Sequence, residues 1–176
     1  MTVQVRPAQA TDVPELADVA AATFPLACPP SSAPDDIAAF IAGNLSADRF
    51  ATYLRDPERA VFVAHDEARI LGYTMLIRGV ADDAEVQRAV PERPAVELSK
   101  CYVLPDVHGG GVARALPDAA LAVARETGAA GIWLGTNQAN ARAQRFYLKP
   151  GFERIGTKRF WGGEHWGDGF VFVRAT

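Results

Sequence analysis

The chain has 176 residues, a length that fits one domain spanning 1–176, with a core large enough to fold without disulfide or metal staples. Hydrophobic residues make up 49% and charged residues 22%, which argues against disorder. Eighteen Lys and Arg against 21 Asp and Glu leave a net charge of −3, which argues against a protein held on nucleic acid or anionic lipid by bulk charge. Cys28 and Cys101 are too few for a disulfide framework, and no Cys/His cluster has metal-ligand spacing, so no metal is expected. The first residues lack a basic and apolar leader, and no apolar run reaches the roughly 18 residues of a membrane span. The expectation is a soluble cytoplasmic protein without a membrane or nucleic-acid partner.

Residues 2–6 alternate around Val3 and Val5 and predict a short strand. Thr11 or Asp12 can cap a helix with Pro14 in its first turn, and Leu16, Val19, Ala20 and Phe24 keep helical spacing. Pro25, Pro29 and Pro30 predict a loop, after which helix resumes over 35–41 and again over 47–54. Residues 60–64 and 69–77 read as two strands joined by a hairpin loop. Residues 79–94, with Asp82, Asp83, Glu85, Glu92 and two prolines, predict an exposed excursion. A strand over 95–104 is followed by three glycines and a helix over 112–127, with Gly128 as its stop. A strand over 131–136, a helix over 140–149 and closing strands over 152–160 and 169–173 complete the order. That order predicts an α/β fold: a mixed sheet with helices on its faces.

Glycines between a strand and a helix let backbone approach a ligand, and the helix behind them offers unpaired N–H groups to phosphate. Arg114, one turn in, can add a cation. A tight turn explains the glycines equally well. The loop is not a P-loop, because no Lys-Ser or Lys-Thr follows, and its spacing is not that of a dinucleotide fold.

The neighbouring residues decide between these readings. His108-Gly109-Gly110-Gly111-Val112-Ala113 resembles the Gln/Arg-x-x-Gly-x-Gly/Ala loop of the general-control-related N-acetyltransferases, the GNAT superfamily. The later run Asn140-Ala141-Arg142-Ala143-Gln144-Arg145-Phe146-Tyr147, continuing through Gly151-Phe152, resembles that superfamily's Asn-x-x-Ala-x-x-Phe-Tyr-x-x-x-Gly-Phe signature. The resemblance implies a mostly antiparallel twisted sheet of six to seven strands, splayed between 95–104 and 131–136. It implies acetyl-coenzyme A as cosubstrate. The pyrophosphate would meet His108, Gly109, Gly110, Gly111, Val112, Ala113 and Arg114. The pantetheine arm would run along Tyr102 and Val103, with Asn137, Asn140 and Tyr147 on its other side. His108 replaces the usual Gln or Arg, and Pro117 within the following helix predicts a kink.

Acetyl transfer to an amine needs a neutral nucleophile, a donor for the carbonyl oxygen and a donor for the departing sulfur. By resemblance, Tyr147 is the acid on sulfur, Glu97 is the base, and the Val103 N–H is the oxyanion donor. An aromatic packed on Phe146 and Phe152, and a partly exposed strand acid paired with Lys100 or an arginine, are the structural alternatives. In a regular strand Glu97, Ser99 and Cys101 share one face. A covalent role for Cys101 is disfavoured, because a lone strand cysteine is more often an apolar filler.

The acceptor is less legible. Phe24, Asp35, Asp36 and Glu97 are the candidate substrate contacts. Thr23-Phe24, Ile70-Leu71-Gly72-Tyr73, Val96-Glu97-Leu98, Trp133-Leu134-Gly135 and Phe160-Trp161-Gly162-Gly163 resemble Pai-type polyamine acetyltransferases. The expected activity is acetylation of a polyamine or other small primary amine. Acetylation of protein N-termini or lysines is the runner-up, and a non-catalytic coenzyme A-binding regulatory module is the reading of a different class. A homodimer is a further expectation by resemblance.

Overall fold

A computed structural model describes residues 2–80, 84–107, 111–138, 140–162 and 165–176, and side chains outside 158–168. The strands are β1 (Gln4–Pro7), β2 (Arg59–His65), β3 (Ile70–Arg78), β4 (Ala95–Val103), β5 (Gly131–Asn137), β6 (Glu153–Gly162) and β7 (His165–Ala175). The helices are α1 (Val13–Ala27), α2 (Pro34–Asn44), α3 (Ala47–Arg55), α4 (Ala84–Ala89), α5 (Val112–Glu126) and α6 (Ala141–Leu148), with a 3-10 turn at Ala10–Asp12 before α1. Each lies within a few residues of its sequence expectation, with two exceptions. The first is Pro25, which does not stop α1: the helix continues to Ala27, held by its buried stripe of Leu16, Val19, Ala20 and Thr23. The second is α4, which lies inside the excursion expected to be exposed. Val86 and Val90 are four residues apart and fully buried against Trp133, Val171 and Val173.

The seven strands form one sheet in the order β1-β2-β3-β4-β5-β7-β6, antiparallel throughout except for β4 beside β5. One face carries Val61, Val63, Tyr73 and Met75 and is covered by α1 and α3 through Leu16, Ala20 and Phe50. The other carries Leu76, Val96, Leu98, Ile132 and Leu134 and is covered by α5 through Ala120, Leu121 and Ala124. Two polar contacts fix α1 at its start. Arg6 forms a two-pronged pair with Asp12 at 2.7 and 2.9 Å and holds that carboxyl below its usual range. Glu15 accepts the Ile70 N–H at 2.9 Å, tying α1 to the head of β3.

Two irregularities of β4 shape the molecule. On its β3 side, Met75 pairs with Lys100 but Leu76 pairs with Leu98, so Ser99 is an extra, bulged residue. On its β5 side, parallel pairing covers Ala95, Val96 and Glu97 and goes no further. A bulge bends and over-twists its strand. Here it sits where the two parallel strands part, so the expected splay between β4 and β5 is present. The bulge also corrects the expected side-chain pattern. Glu97, Ser99 and Cys101 do not share a face. Lys100 and Tyr102 join Glu97 on the α1 side, and Cys101 turns toward α5 and α6.

No helix among the described residues is long and apolar enough to cross a membrane. The close approach of β3 to β4 can be tested at Gly72, where an added Cβ would lie 2.5 Å from the Tyr102 carbonyl oxygen. Backbone cannot move aside cheaply there. Gly72→Ala is expected to lower unfolding stability by about 1–3 kcal/mol in urea titrations.

Candidate active site

The parting of β4 from β5 leaves a stretch of strand edge without a strand partner on that side. Leu104 donates its N–H to the Leu71 carbonyl at 2.9 Å. Antiparallel ladders alternate, so the N–H groups of Val103 and Cys101 point away from β3 and into the opening. An amide-bearing ligand can pair with that edge as a strand would.

The head of α5 lies at the C-terminal side of β4. Gly111 takes a left-handed conformation, φ 75°, and an added Cβ there would meet nothing within 4 Å. The first helical bond is from the Ala115 N–H to the Gly111 carbonyl, at 2.9 Å. The N–H groups of Val112, Ala113 and Arg114 therefore have no partner within the helix. Val112 is buried against Ala64, Leu71 and Leu116 and fixes the turn. His108, Gly109 and Gly110 lie outside the described residues. Arg114 is exposed and engaged with Asp118 at 3.0 Å, one turn along. An exposed pair of this kind is weak enough for a phosphate to displace. Pro117 is buried, and α5 runs unbroken past it from Val112 to Glu126.

Helix α6 brings Tyr147 to the opening from the other side. The Asn140 side chain accepts the Ala143 N–H at 3.0 Å and caps α6, so it positions the helix. Asn137, at the end of β5, accepts from the Asn140 N–H at 3.0 Å and from Gln144 Nε2 at 3.2 Å through its carbonyl. Gln144 also donates to the Gln138 carbonyl at 2.9 Å. This clamp was not foreseen from the sequence, where Gln144 occupies a variable position of the motif. The Tyr147 ring packs edge-on against Phe146 and Phe152, with centroids at 5.1 and 5.8 Å. It packs on the same apolar cluster as Cys101, with its phenol beside the Cys101 thiol. The aromatic packing is thus present. Burial, aided by Cys101 and Tyr102, holds the Tyr147 phenol well above its usual value, so it stays protonated. Burial pushes the Cys101 thiol up to about 12, so the thiolate is scarce near neutrality.

The opposite face holds the remaining candidates. Glu97 sits where the parallel pairing ends, on the face covered by α1. Lys100 lies beside it, and burial lowers the Lys100 pKa while Glu97 raises it and Arg59 lowers it further. Phe24 stacks on Phe40 at 4.5 Å, linking α1 to α2. Asp35 and Asp36 occupy the first turn of α2, where they complement the helix dipole. A cavity of about 520 Å³ lies elsewhere, at the paired N-terminal end of β4, lined by Arg78, Arg93, Pro94, Val96 and Thr127.

A family model for the acetyltransferase (GNAT) family matches residues 20–152. The chain belongs to that family. It is 53% identical over 164 residues to uncharacterised N-acetyltransferases of Mycobacterium tuberculosis and Mycobacterium bovis, covering 93% of this chain and 97% of theirs. Among solved structures it is similar to the PaiA N-acetyltransferase of Thermoplasma acidophilum in complex with coenzyme A, with TM-score 0.78, 16% identity and all of both chains covered. It is also similar to a ribosomal-protein-alanine N-acetyltransferase of Brucella melitensis, with TM-score 0.70, 23% identity and 98% and 99% of the two chains covered.

As a GNAT N-acetyltransferase the chain uses acetyl-coenzyme A. The described groups suit that molecule: unpaired N–H donors at the head of α5 for pyrophosphate, and the open edge of β4 for the amides of pantetheine. No cluster of three or more metal-ligating side chains occurs among the described residues. Gly111→Asp sets a carboxylate and a left-handed non-glycine residue at the phosphate end. Calorimetry is expected to show acetyl-coenzyme A affinity lowered by about tenfold or more. Unchanged affinity with a folded variant would separate Gly111 from phosphate binding.

Proposed function

We propose that this N-acetyltransferase passes the acetyl group directly from acetyl-coenzyme A to a small primary amine held on the Glu97 face of the sheet. The observation that carries the reading is the placement of Tyr147, which packs with Cys101 on one cluster beside the splay between β4 and β5. A phenol placed there can donate to a thioester sulfur arriving beside it. Its raised pKa keeps the proton on oxygen. Tyr147 therefore stabilises the departing thiolate by a hydrogen bond, and the proton lost by the amine ends on the sulfur. The Val103 N–H, directed into the opening, is the donor for the carbonyl oxygen as negative charge gathers there.

Glu97 takes the proton from the incoming ammonium, directly or through a water, because an alkylamine with pKa near 10.4 is almost wholly protonated at neutral pH. The amine is thereby neutral when it attacks. Cys101 does not carry the acetyl group in this scheme. Its thiol lies on the α5 face, across the sheet from Glu97, and is protonated near neutrality. The acceptor's identity beyond a primary amine rests on weaker support. The Pai-like residues favour a polyamine, whereas Lys100 and Arg59, sharing the Glu97 face, weigh against a polycation.

Thiol release from acetyl-coenzyme A, assayed with spermidine, small amines and peptides, tests the reading. Binding without turnover for every amine would favour a regulatory module instead. Glu97→Gln is expected to lower kcat/KM by about 10²-fold at neutral pH. The deficit should shrink as pH rises toward the amine's own pKa, because more acceptor is then already neutral; a pH–rate profile shows it. Tyr147→Phe keeps the ring packing and deletes the donor. It is expected to lower kcat by about 10²–10⁴ while shifting acetyl-coenzyme A binding by no more than about 1 kcal/mol. Cys101→Ala serves as the control, with a far smaller loss in kcat.

A further inference from the structure

Resting on the acetyltransferase reading above, we infer that the acceptor amine carries a carboxylate, which Lys100 receives while its amino group lies at Glu97. The argument starts from the bulge. Without the extra Ser99, Lys100 would point to the α5 face and Cys101 would lie with Glu97. With it, Glu97 opposes Ile77 and Lys100 opposes Met75, so the two side chains occupy adjacent positions on one face. Same-face neighbours on a strand are about 6–7 Å apart, close to the reach from nitrogen to carboxylate of an extended amino acid such as 4-aminobutanoate, and long flexible side chains at both positions can close on a shorter one.

Lys100 is half-buried, yet no carboxylate of the described residues lies within ion-pair distance of it. Among the described residues its Nζ hydrogen-bonds only the carbonyl and hydroxyl of the adjacent Ser99, at 3.4 and 3.3 Å. These are long bonds to neutral acceptors. A second cation stands on the same face. Arg59 on β2 lies over the Tyr53 ring at 4.6 Å, bonds Asp56 at 3.2 Å and reaches Met75 Sδ at 3.7 Å. Its charge acts against that of Lys100. Arg59 has its counter-charge in Asp56, but Lys100 has no carboxylate of the described residues bonded to it, and a half-buried cation in that state is costly unless an anion joins it. Glu97 offsets part of that charge, but as the base it must take up a proton during turnover. The lasting counter-charge is then on the substrate. A charge-assisted bond of this kind discriminates strongly against an analogue that lacks the carboxylate, because the ammonium is left desolvated. A diamine would bring a third cation to the same place.

Matched pairs test this directly. Glycine, alanine, 4-aminobutanoate and lysine are compared with methylamine, ethylamine, propylamine and 1,5-diaminopentane, which are the same amines without the carboxylate. Thiol release is followed for the unaltered chain, Lys100→Met and Lys100→Arg. For at least one pair the carboxylate-bearing member is expected to have a KM lower by about ten- to a hundredfold. Lys100→Met should bring the pair within about threefold, with kcat changed less than KM, and Lys100→Arg should restore most of the preference. Lys100→Met is expected to melt no lower than the unaltered chain, since it removes a desolvated charge and keeps the length of the side chain. Preference for the diamine, or a carboxylate preference that survives in Lys100→Met, overturns the inference and leaves the acetyltransferase reading standing. Absence of turnover with every amine overturns that reading instead. The melting temperature of the coenzyme A-loaded protein with each pair then decides: a carboxylate-dependent rise lost in Lys100→Met supports the inference, and no such rise overturns it.

Discussion

Everything at the candidate site depends on β4 leaving β5 after Glu97. Two parallel strands that stay paired bury their edges in each other. These two pair over Ala95, Val96 and Glu97 and then separate, while β3 continues to hold the other edge of β4 as far as Val103. The exposed N–H groups of Cys101 and Val103 are the direct result. An unpaired strand edge is normally a liability for association. Here it lies within one sheet, flanked by the heads of α5 and α6, so it offers a slot for an extended molecule with amide groups of its own.

The bulge at Ser99 links this opening to the chemistry. One extra residue bends β4 away from β5 and at the same time exchanges the faces of the side chains beyond it. Cys101 goes to the α5 side, under the Tyr147 hydroxyl, and Lys100 goes to the side of Glu97. The sheet thus separates two environments. One is a half-buried sulfur and phenol pocket in which both groups stay protonated. The other gathers one carboxylate and two cations beside the splay. In the proposed mechanism the donor to the thiolate and the base for the ammonium act from opposite sides of the reacting carbonyl, and the two faces of a single strand keep Tyr147 and Glu97 apart in that way.

The supports around the site are local and rigid. Asn140 caps α6, Gln144 clamps its start to the end of β5, and Phe146 and Phe152 flank the Tyr147 ring. Val112 anchors the α5 head, so its N–H donors are fixed before a ligand arrives. Such groups need little reorganisation on binding, which favours affinity and rate alike.

Much of this was legible in the sequence. The strand and helix order follows from hydrophobic periodicity, and the glycine and Asn140–Phe152 motifs name the family because both are local signatures with fixed spacing. The splay was available only through that resemblance. Periodicity gives no sign of where two distant strands stop pairing. The α4 turn was missed because Val86 and Val90 sit among charged residues, and the surface that buries them comes from distant strands, through Trp133, Val171 and Val173. The placement of Lys100 was missed for a sharper reason. A strand of period two puts Glu97 with Cys101, and nothing in the residues 97–101 announces an extra one. The sequence determined which groups are present: a phenol, a carboxylate, a lysine and a helix head that can hold phosphate. Tertiary structure alone decided which of them share a face, because a bulge is defined by the register against a neighbouring strand.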